Sequence, residues 1–310
     1  MAKKISFVIP VFRSEGTLDP TYEQLSHLFQ NELKGYEYEI VFVDDGSDDN
    51  SLTKLLAIHE KDASVKVIKL SRNFGQRPAV FCGFKHATGD AVVKMSSDLQ
   101  DPVDMIPEFV QGWEEGNEIV LAYRKERQDS FKDSLFSNIF YGLLKLSNPM
   151  YPKGGFDYFL LDRKALQHIN QMNYRNRFLQ GDVLWVGFKI KYLPYKRLKR
   201  TIGKSQQKFS TRIFYFISGI IDASYLPIRV MSFLGILTSF LGFIGVILAI
   251  YNRFAQENPY PGWASLIVVN LIIGGLIMFM LGVIGEYLWR IHDEIRDKPL
   301  YIVDKKYGDI

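Results

Sequence analysis

The chain has 310 residues, 47% of them hydrophobic and 23% charged, with a formal net charge of +4; this mixture excludes a disordered chain, and the length allows one large domain or two smaller ones. The single cysteine, Cys82, excludes an internal disulfide framework and fits a reducing compartment. A charge of +4 gives no argument for nucleic acid unless it is concentrated somewhere, and a mean hydropathy of −0.04 averages over two very different parts.

The N-terminal part alternates short apolar runs with amphipathic ones. Residues 5–11, 39–43, 65–70, 91–95 and 119–123 read as strands, and 18–33, 51–61 and 77–87 as helices. That alternation predicts an α/β domain with a mostly parallel sheet covered on both faces, whose ligands bind at the carboxyl ends of the strands. Polar motifs fall at those ends: Val-Ile-Pro-Val-Phe-Arg-Ser-Glu over 8–15, Asp44-Asp45-Gly46-Ser47 leading to a helix cap at 48–51, Ser71-Arg72-Asn73-Phe74-Gly75, and Ser96-Ser97-Asp98-Leu99-Gln100-Asp101. Asp48, Asp49 and Ser51 are also explained by turn and cap chemistry. Further on, 189–212 holds nine basic residues and no acid, a run that attracts anionic lipid just before a membrane. Residues 138–146 and 209–226 are candidates for helices lying at an interface, or equally for packing faces.

The C-terminal part carries two uncharged runs, 230–252 and 258–285, each long enough to cross a bilayer. Only Arg253 and Glu257 are charged between them, whereas basic residues crowd the outer flanks. The positive-inside rule therefore predicts a two-span membrane protein with both termini cytoplasmic, and 5–11 is too short for a signal peptide. The expected organisation is a cytosolic domain over 1–205, a juxtamembrane helix over 206–229, spans over 230–252 and 262–285 joined by an extracytoplasmic linker at 253–261, and a cytosolic tail over 286–310.

The four strand-end motifs, in this order and spacing, resemble glycosyltransferase family 2, whose fold is the nucleotide-sugar-binding GT-A type. With two C-terminal spans and the closing Gly285-Glu286-Tyr287-Leu288-Trp289-Arg290 stretch, the chain is similar to the polyprenyl-phosphate glycosyltransferase branch over nearly its whole length. The resemblance implies an inverting transfer of one sugar from a nucleotide-sugar donor to polyprenyl phosphate, with UDP preferred to GDP and UDP-glucose as the example. It also implies a bacterial inner-membrane location, and a homo-oligomer is expected because two spans alone bury little surface.

Carried over residue by residue, the resemblance assigns Pro10, Phe12, Glu15, Asp44 and Asp45 to the nucleotide, although Phe12 also reads as a core aromatic. The family's Asp-x-Asp metal motif falls on Ser96-Ser97-Asp98, leaving Asp98 as the ligand of Mg²⁺ or Mn²⁺, with Gln100 beside it; Asp98 as a helix cap is the plainer alternative. Arg124 and Arg127 match an arginine-bearing loop for the leaving diphosphate, or form a solvated surface loop. Asp157, in Gly155-Phe156-Asp157-Tyr158-Phe159, is the acceptor-side acid, with Asp182 as its rival; Phe159 stands where the family has arginine. Arg200 and Ser205 match the family's basic phosphate motif. A processive polysaccharide synthase and an inactive scaffold or flippase partner are the competing readings, the first opposed by the lack of a Gln-x-x-Arg-Trp motif.

Overall fold

The structure, a computed structural model, describes residues 2–124, 142, 145, 148–152, 154–175, 177–198, 226–255 and 263–309. Arg127, Arg200 and Ser205 lie outside them, as do nearly all of 138–146 and 209–226. The chain divides into two compact units, Met1–Phe216 with Pro299–Ile310, and Ile217–Lys298.

The first unit is built on eight strands: β1 (Lys4–Val11), β2 (Glu37–Asp44), β3 (Val65–Leu70), β4 (Ala91–Lys94), β5 (Ile119–Arg124), β6 (Phe156–Asp162), β7 (Ile190–Tyr195) and β8 (Val303–Tyr307), in the order β7-β5-β6-β4-β1-β2-β3-β8. β1 to β4 are rich in Val, Ile and Phe and are buried on both faces over most of their length, as central parallel strands must be. β1 pairs in parallel with β2, Val11 opposite Asp44, and with β4, Val8 opposite Lys94. β6 runs antiparallel between β4 and β5, so its amino end lies at the edge where β4 and β5 finish.

Helices α1 (Leu18–Asn31), α2 (Ser51–Lys61) and α4 (Ile106–Glu114) cover one face, where Phe7, Ile9 and Val11 share a core with Leu18, Leu25, Phe29, Leu55 and Phe109. Phe7 meets Phe29 edge to face at 5.6 Å between centroids. The other face receives α3 (Gln76–His86), α5 (Arg163–Gln171) and α6 (Leu179–Trp185). There α3 approaches β1 so closely that a Cβ on Gly83 would lie 2.3 Å from Val8 Cγ1. Each fully buried Leu, Ile or Phe contributes about 1.5–3 kcal/mol by its removal from water.

Three strands were not foreseen from the sequence. β7 and β8 are the two edges, and edge strands carry the lysines and proline that blunt outward pairing: Pro194 and Lys191 in β7, Lys305 and Lys306 in β8. β8 seals the β3 edge in antiparallel register, and Lys69 Nζ meets Asp304 Oδ2 at 2.7 Å across it.

The second unit contains α7 (Leu226–Ala255) and α8 (Trp263–Ile295). At 1.5 Å per residue they are about 45 and 50 Å long, against about 30 Å of hydrocarbon in a bilayer. Their apolar windows, Ile228–Gly245 and Ile272–Ile295, are 6% and 0% buried, and Phe233, Ile236, Phe240, Ile272 and Phe279 are exposed. A core helix of a soluble protein hides such side chains. The two helices are therefore candidate membrane spans. α8 runs ten residues past the expected boundary at 285, through an Arg290–Glu286 pair at 3.2 Å.

Candidate active site

The sheet topology gathers the polar motifs at one edge. β1, β2 and β4 end side by side, and Asp45 N donates to Val11 O at 2.8 Å, tying the first two ends together. Asp44 is the last residue of β2 and is fully buried. Its Oδ1 accepts from Ser47 N at 3.2 Å, whereas Oδ2 is buried with no hydrogen-bond partner among the described residues. Burial pushes its carboxyl above the usual range, against the bonds from Ser47. A buried, half-satisfied carboxylate is costly unless a ligand completes it.

Asp45 faces the other way. Both of its oxygens are engaged by the β3–α3 loop, accepting from Phe74 N at 2.7 Å and Gly75 N at 2.9 Å. Burial raises its carboxyl to about 6, the two backbone donors opposing the rise and Asp44 adding to it. Next to Asp45, Gly46 has φ +68° and packs against the same loop with no room for a Cβ, which would lie 2.6 Å from Arg72 C.

Glu15 is exposed, and its Oε2 accepts from Asn50 N at 3.1 Å at the start of α2. Pro10 is buried within β1 opposite Val43, and Phe12 is half-buried under the Arg13 guanidinium, 5.3 Å from its ring centroid. Arg13 in turn grips Asp48 through Nε and Nη2, both at 2.6 Å.

After β4 the chain turns through Ser96, Ser97 and Asp98, with Leu99 at φ +57°. Ser97 Oγ lies 3.1 Å from Ser14 Oγ, joining this turn to the β1 loop. Asp101 is buried and accepts from Ser96 N at 2.8 Å, so it shapes the turn from within. Asp98 stays half-buried, its Oδ1 accepting from Gln100 N at 3.3 Å and its Oδ2 3.7 Å from Arg197 Nη2.

Among the described residues no three His, Cys, Asp or Glu side chains gather into a preformed metal cage. A hard cation such as Mg²⁺ takes one or two carboxylates together with substrate phosphates and waters. One accessible carboxylate with a neighbouring Ser96 fits a site that a diphosphate completes.

The remaining wall comes from β5 and β6. Arg124, the last residue of β5, places Nη2 3.6 Å from Asp157 Oδ2, and Gln180 Nε2 from α6 donates to Asp157 Oδ1 at 2.5 Å. Lys94, buried at the end of β4, donates to the Asp157 carbonyl at 2.6 Å. Arg124 and Gln180 thus hold a carboxylate whose side chain is 47% exposed, while Lys94 fixes the backbone that carries it.

Asp182 is the opposite case. It is buried and pinned by Arg177, Nε to Oδ2 at 2.8 Å, and by the Tyr174 hydroxyl on Oδ1. Burial raises its carboxyl while Arg177 opposes the rise. The Arg177 guanidinium lies 3.7 Å from the Phe81 ring centroid, which makes this pair a brace between α3 and the α6 region.

Sequence reasoning missed Lys94, Gln180 and Arg197 as members of this edge. Lys94 carried a signal, a charge inside an apolar strand; Gln180 and Arg197 are brought in only by the way α6 and the strap after β7 fold back.

Residues 6–179 match the family description "Glycosyl transferase family 2". The chain is 37% identical over 305 residues to the uncharacterized glycosyltransferase YkcC of Bacillus subtilis, covering 98% of this chain and 94% of that one. It is 35% identical over 306 residues to a prophage-derived bactoprenol glucosyl transferase of Shigella flexneri, covering 98% of each. Its fold is similar to that of glucosyl-3-phosphoglycerate synthase from Mycobacterium tuberculosis, solved with Mn²⁺, uridine diphosphate and phosphoglyceric acid, with a TM-score of 0.51 and 17% identity over 71% of this chain and 76% of that one. A mixed, mostly parallel sheet whose strand ends carry these carboxylates and this arginine, matched by sequence from the first strand to the start of α6, places the chain in glycosyltransferase family 2 as a GT-A enzyme.

Proposed function

We propose that this glycosyltransferase moves one sugar from a UDP-sugar, UDP-glucose, to polyprenyl (undecaprenyl) phosphate on the cytoplasmic face of a bacterial inner membrane, with Mg²⁺ or Mn²⁺ held by Asp98. The observation that carries the donor half is the buried Oδ2 of Asp44, without a hydrogen-bond partner among the described residues, at the edge shared with Asp98, Arg124 and Asp157. A carboxylate there accepts from a base N–H or ribose hydroxyl. The acceptor half is supported by full-length similarity to the Shigella bactoprenol glucosyl transferase.

In an inverting displacement, an acceptor phosphate oxygen bonds the anomeric carbon as its bond to the diphosphate oxygen breaks on the opposite face. The acceptor is already an anion, so base strength contributes little and charge on the leaving diphosphate dominates the barrier. Asp98 would hold a cation, which would supply countercharge to that diphosphate. Arg124, at the end of β5, shares the task with Arg127, and Arg200 and Ser205 of the basic run bind phosphate. Asp157, held by Gln180 and Arg124, orients the acceptor. Pro10, Phe12, Glu15 and Asp45 shape the nucleotide pocket, Asp45 through the loop it holds, and Gln100 steadies the Asp98 turn.

Membrane placement is supported by α7 and α8. The strands before α7 and the strand β8 after α8 belong to one sheet, so two crossings would return the chain to the side it left. The division at 205, 229, 252, 261 and 285, cytoplasmic termini and a homo-oligomer are parts of the same proposal.

Membranes carrying the protein are to be incubated with radiolabelled UDP-glucose, other nucleotide sugars and undecaprenyl phosphate. A solvent-extractable lipid-linked monosaccharide is the expected product. Polymer without lipid product, or no transfer from any donor, would overturn the proposal.

A further inference from the structure

After β1 the chain turns through a strained residue. Arg13 has φ +49°, in the left-handed region that residues with a Cβ disfavour. Among the described residues only Arg13, Leu99 and Asp297 adopt positive φ without being glycine; the first belongs to the loop after β1 and the second to the Asp98 turn. Such a conformation persists only where its surroundings hold it.

The turn after Asp44 does the holding. Arg13 N donates to Ser47 Oγ at 3.1 Å, Ser14 N to Ser51 Oγ at 2.9 Å and Glu15 N to Asp49 Oδ2 at 3.4 Å. Ser47 donates its own N–H to Asp44 Oδ1 at 3.2 Å, so one serine joins the Arg13 backbone to the buried carboxylate. Over these lies the Arg13 fork, Nε on Asp48 Oδ1 and Nη2 on Oδ2, both at 2.6 Å. Two short parallel bonds are the arrangement in which a guanidinium and a carboxylate bind best. Yet the two side chains are 50% and 64% exposed, and an exposed ion pair adds little to global stability. A well-formed fork on a strained residue, one serine away from Asp44, is suited to fixing a loop rather than to holding a fold.

We propose that Arg13 is a positioning residue for the nucleotide: its fork to Asp48 keeps the loop after β1 in the left-handed turn that seats Ser47, and so fixes the Asp44 carboxylate before the donor arrives. The proposal rests on the reading of Asp44 as a nucleotide contact given above. Ordering a loop in advance removes that cost from binding. Without the fork, the loop relaxes from its strained turn and the nucleotide must restore it.

The test is calorimetric titration of UDP into the full-length protein in detergent, with Mg²⁺ present throughout, paired with Tm. Arg13→Ala and Asp48→Ala should each bind UDP about fivefold more weakly than wild type, the upper end of what an exposed ion pair is worth. Both remove the same fork, so the double variant should also lose about fivefold rather than the roughly 25-fold of independent effects. Arg13→Gly loses the fork but tolerates the left-handed turn, so it should bind about twofold more tightly than Arg13→Ala. Tm should stay close to wild type in all four. Additive losses, or an Arg13→Gly no tighter than Arg13→Ala, would overturn the proposal. A Tm falling in step with UDP affinity would make the fork a structural tie and overturn it as well. Wild-type UDP affinity in Arg13→Ala beside weak binding in Asp44→Asn would sink the positioning role and leave the donor reading standing. Unchanged affinity in Asp44→Asn would remove the donor reading, and this proposal with it.

Discussion

Replacing Asp44 by asparagine should separate stability from function by moving them in opposite directions. The side chain is fully buried, one oxygen is engaged by Ser47 and the other has no partner among the described residues. An orphaned buried polar atom costs about 1–3 kcal/mol, more when charged. Asparagine keeps an orphaned atom but removes the charge, so the ligand-free protein should gain about 1 kcal/mol, or about 2–4 °C in Tm. Burial holds the Asp44 carboxyl above its ordinary value of 3.8, so folding favours its protonated form. The penalty is absent below that ordinary value and complete once the pH exceeds the folded one. The advantage of Asp44→Asn should thus appear as the pH rises above about 4 and then level off. Nucleotide binding should fall roughly 10- to 150-fold, the worth of a hydrogen bond to a charged group. Differential scanning fluorimetry between pH 4 and 8, paired with calorimetric titration of UDP, measures both. A variant less stable than wild type at pH 7 with unchanged UDP affinity would refute the reasoning and make Asp44 a structural residue.

Three further outcomes are expected. Glu39 is buried at the opposite end of the sheet, where burial alone would raise its carboxyl but bonds from Ser6, Lys66 and Thr88 outweigh it and take it to about 2. Its stabilisation is present above the ordinary carboxylate value and lost as the pH falls through about 2, so Glu39→Gln should cost about 3 kcal/mol at pH 7, and an unshifted Tm would contradict this. Asp157→Asn should lower lipid-linked product at least tenfold with little change in Tm, whereas Asp182→Asn, which strands the buried Arg177, should cost about 3–5 kcal/mol of stability; turnover lost in a stable Asp182→Asn with Asp157→Asn fully active would reverse the assignment. Burial pushes the Cys82 thiol up to about 12, so the folded protein should resist iodoacetamide at pH 8 and react after denaturation, and rapid labelling of native protein would be inconsistent with that burial.

Much of the donor half was legible because its residues are local. Asp44 and Asp98 sit where a strand stops, and apolar run, turn and carboxylate are adjacent in the chain, so periodicity and motif point to the same edge. β5 and Arg124 were legible for the same reason. β7 and β8 were not, because an edge strand needs only one protected side and carries charges that erase the period. The resemblance favours Asp157 over Asp182, but their different surroundings were closed to sequence: both are acids near apolar residues, and only packing shows Asp182 buried against Arg177 while Asp157 remains half-exposed beside Arg124.

By itself, then, the sequence determined the alternating α/β class, the two long apolar helices and the identity of the strand-end carboxylates, since each depends on residue types within a few positions of one another. The tertiary structure decided which carboxylates have unspent hydrogen-bonding capacity and which are locked. It also brought Lys94 and Gln180 to Asp157, Arg197 to Asp98, and the last strand to the far edge of the sheet. Those are long-range pairings, set by strand order and by helices folding back, and no local pattern encodes them.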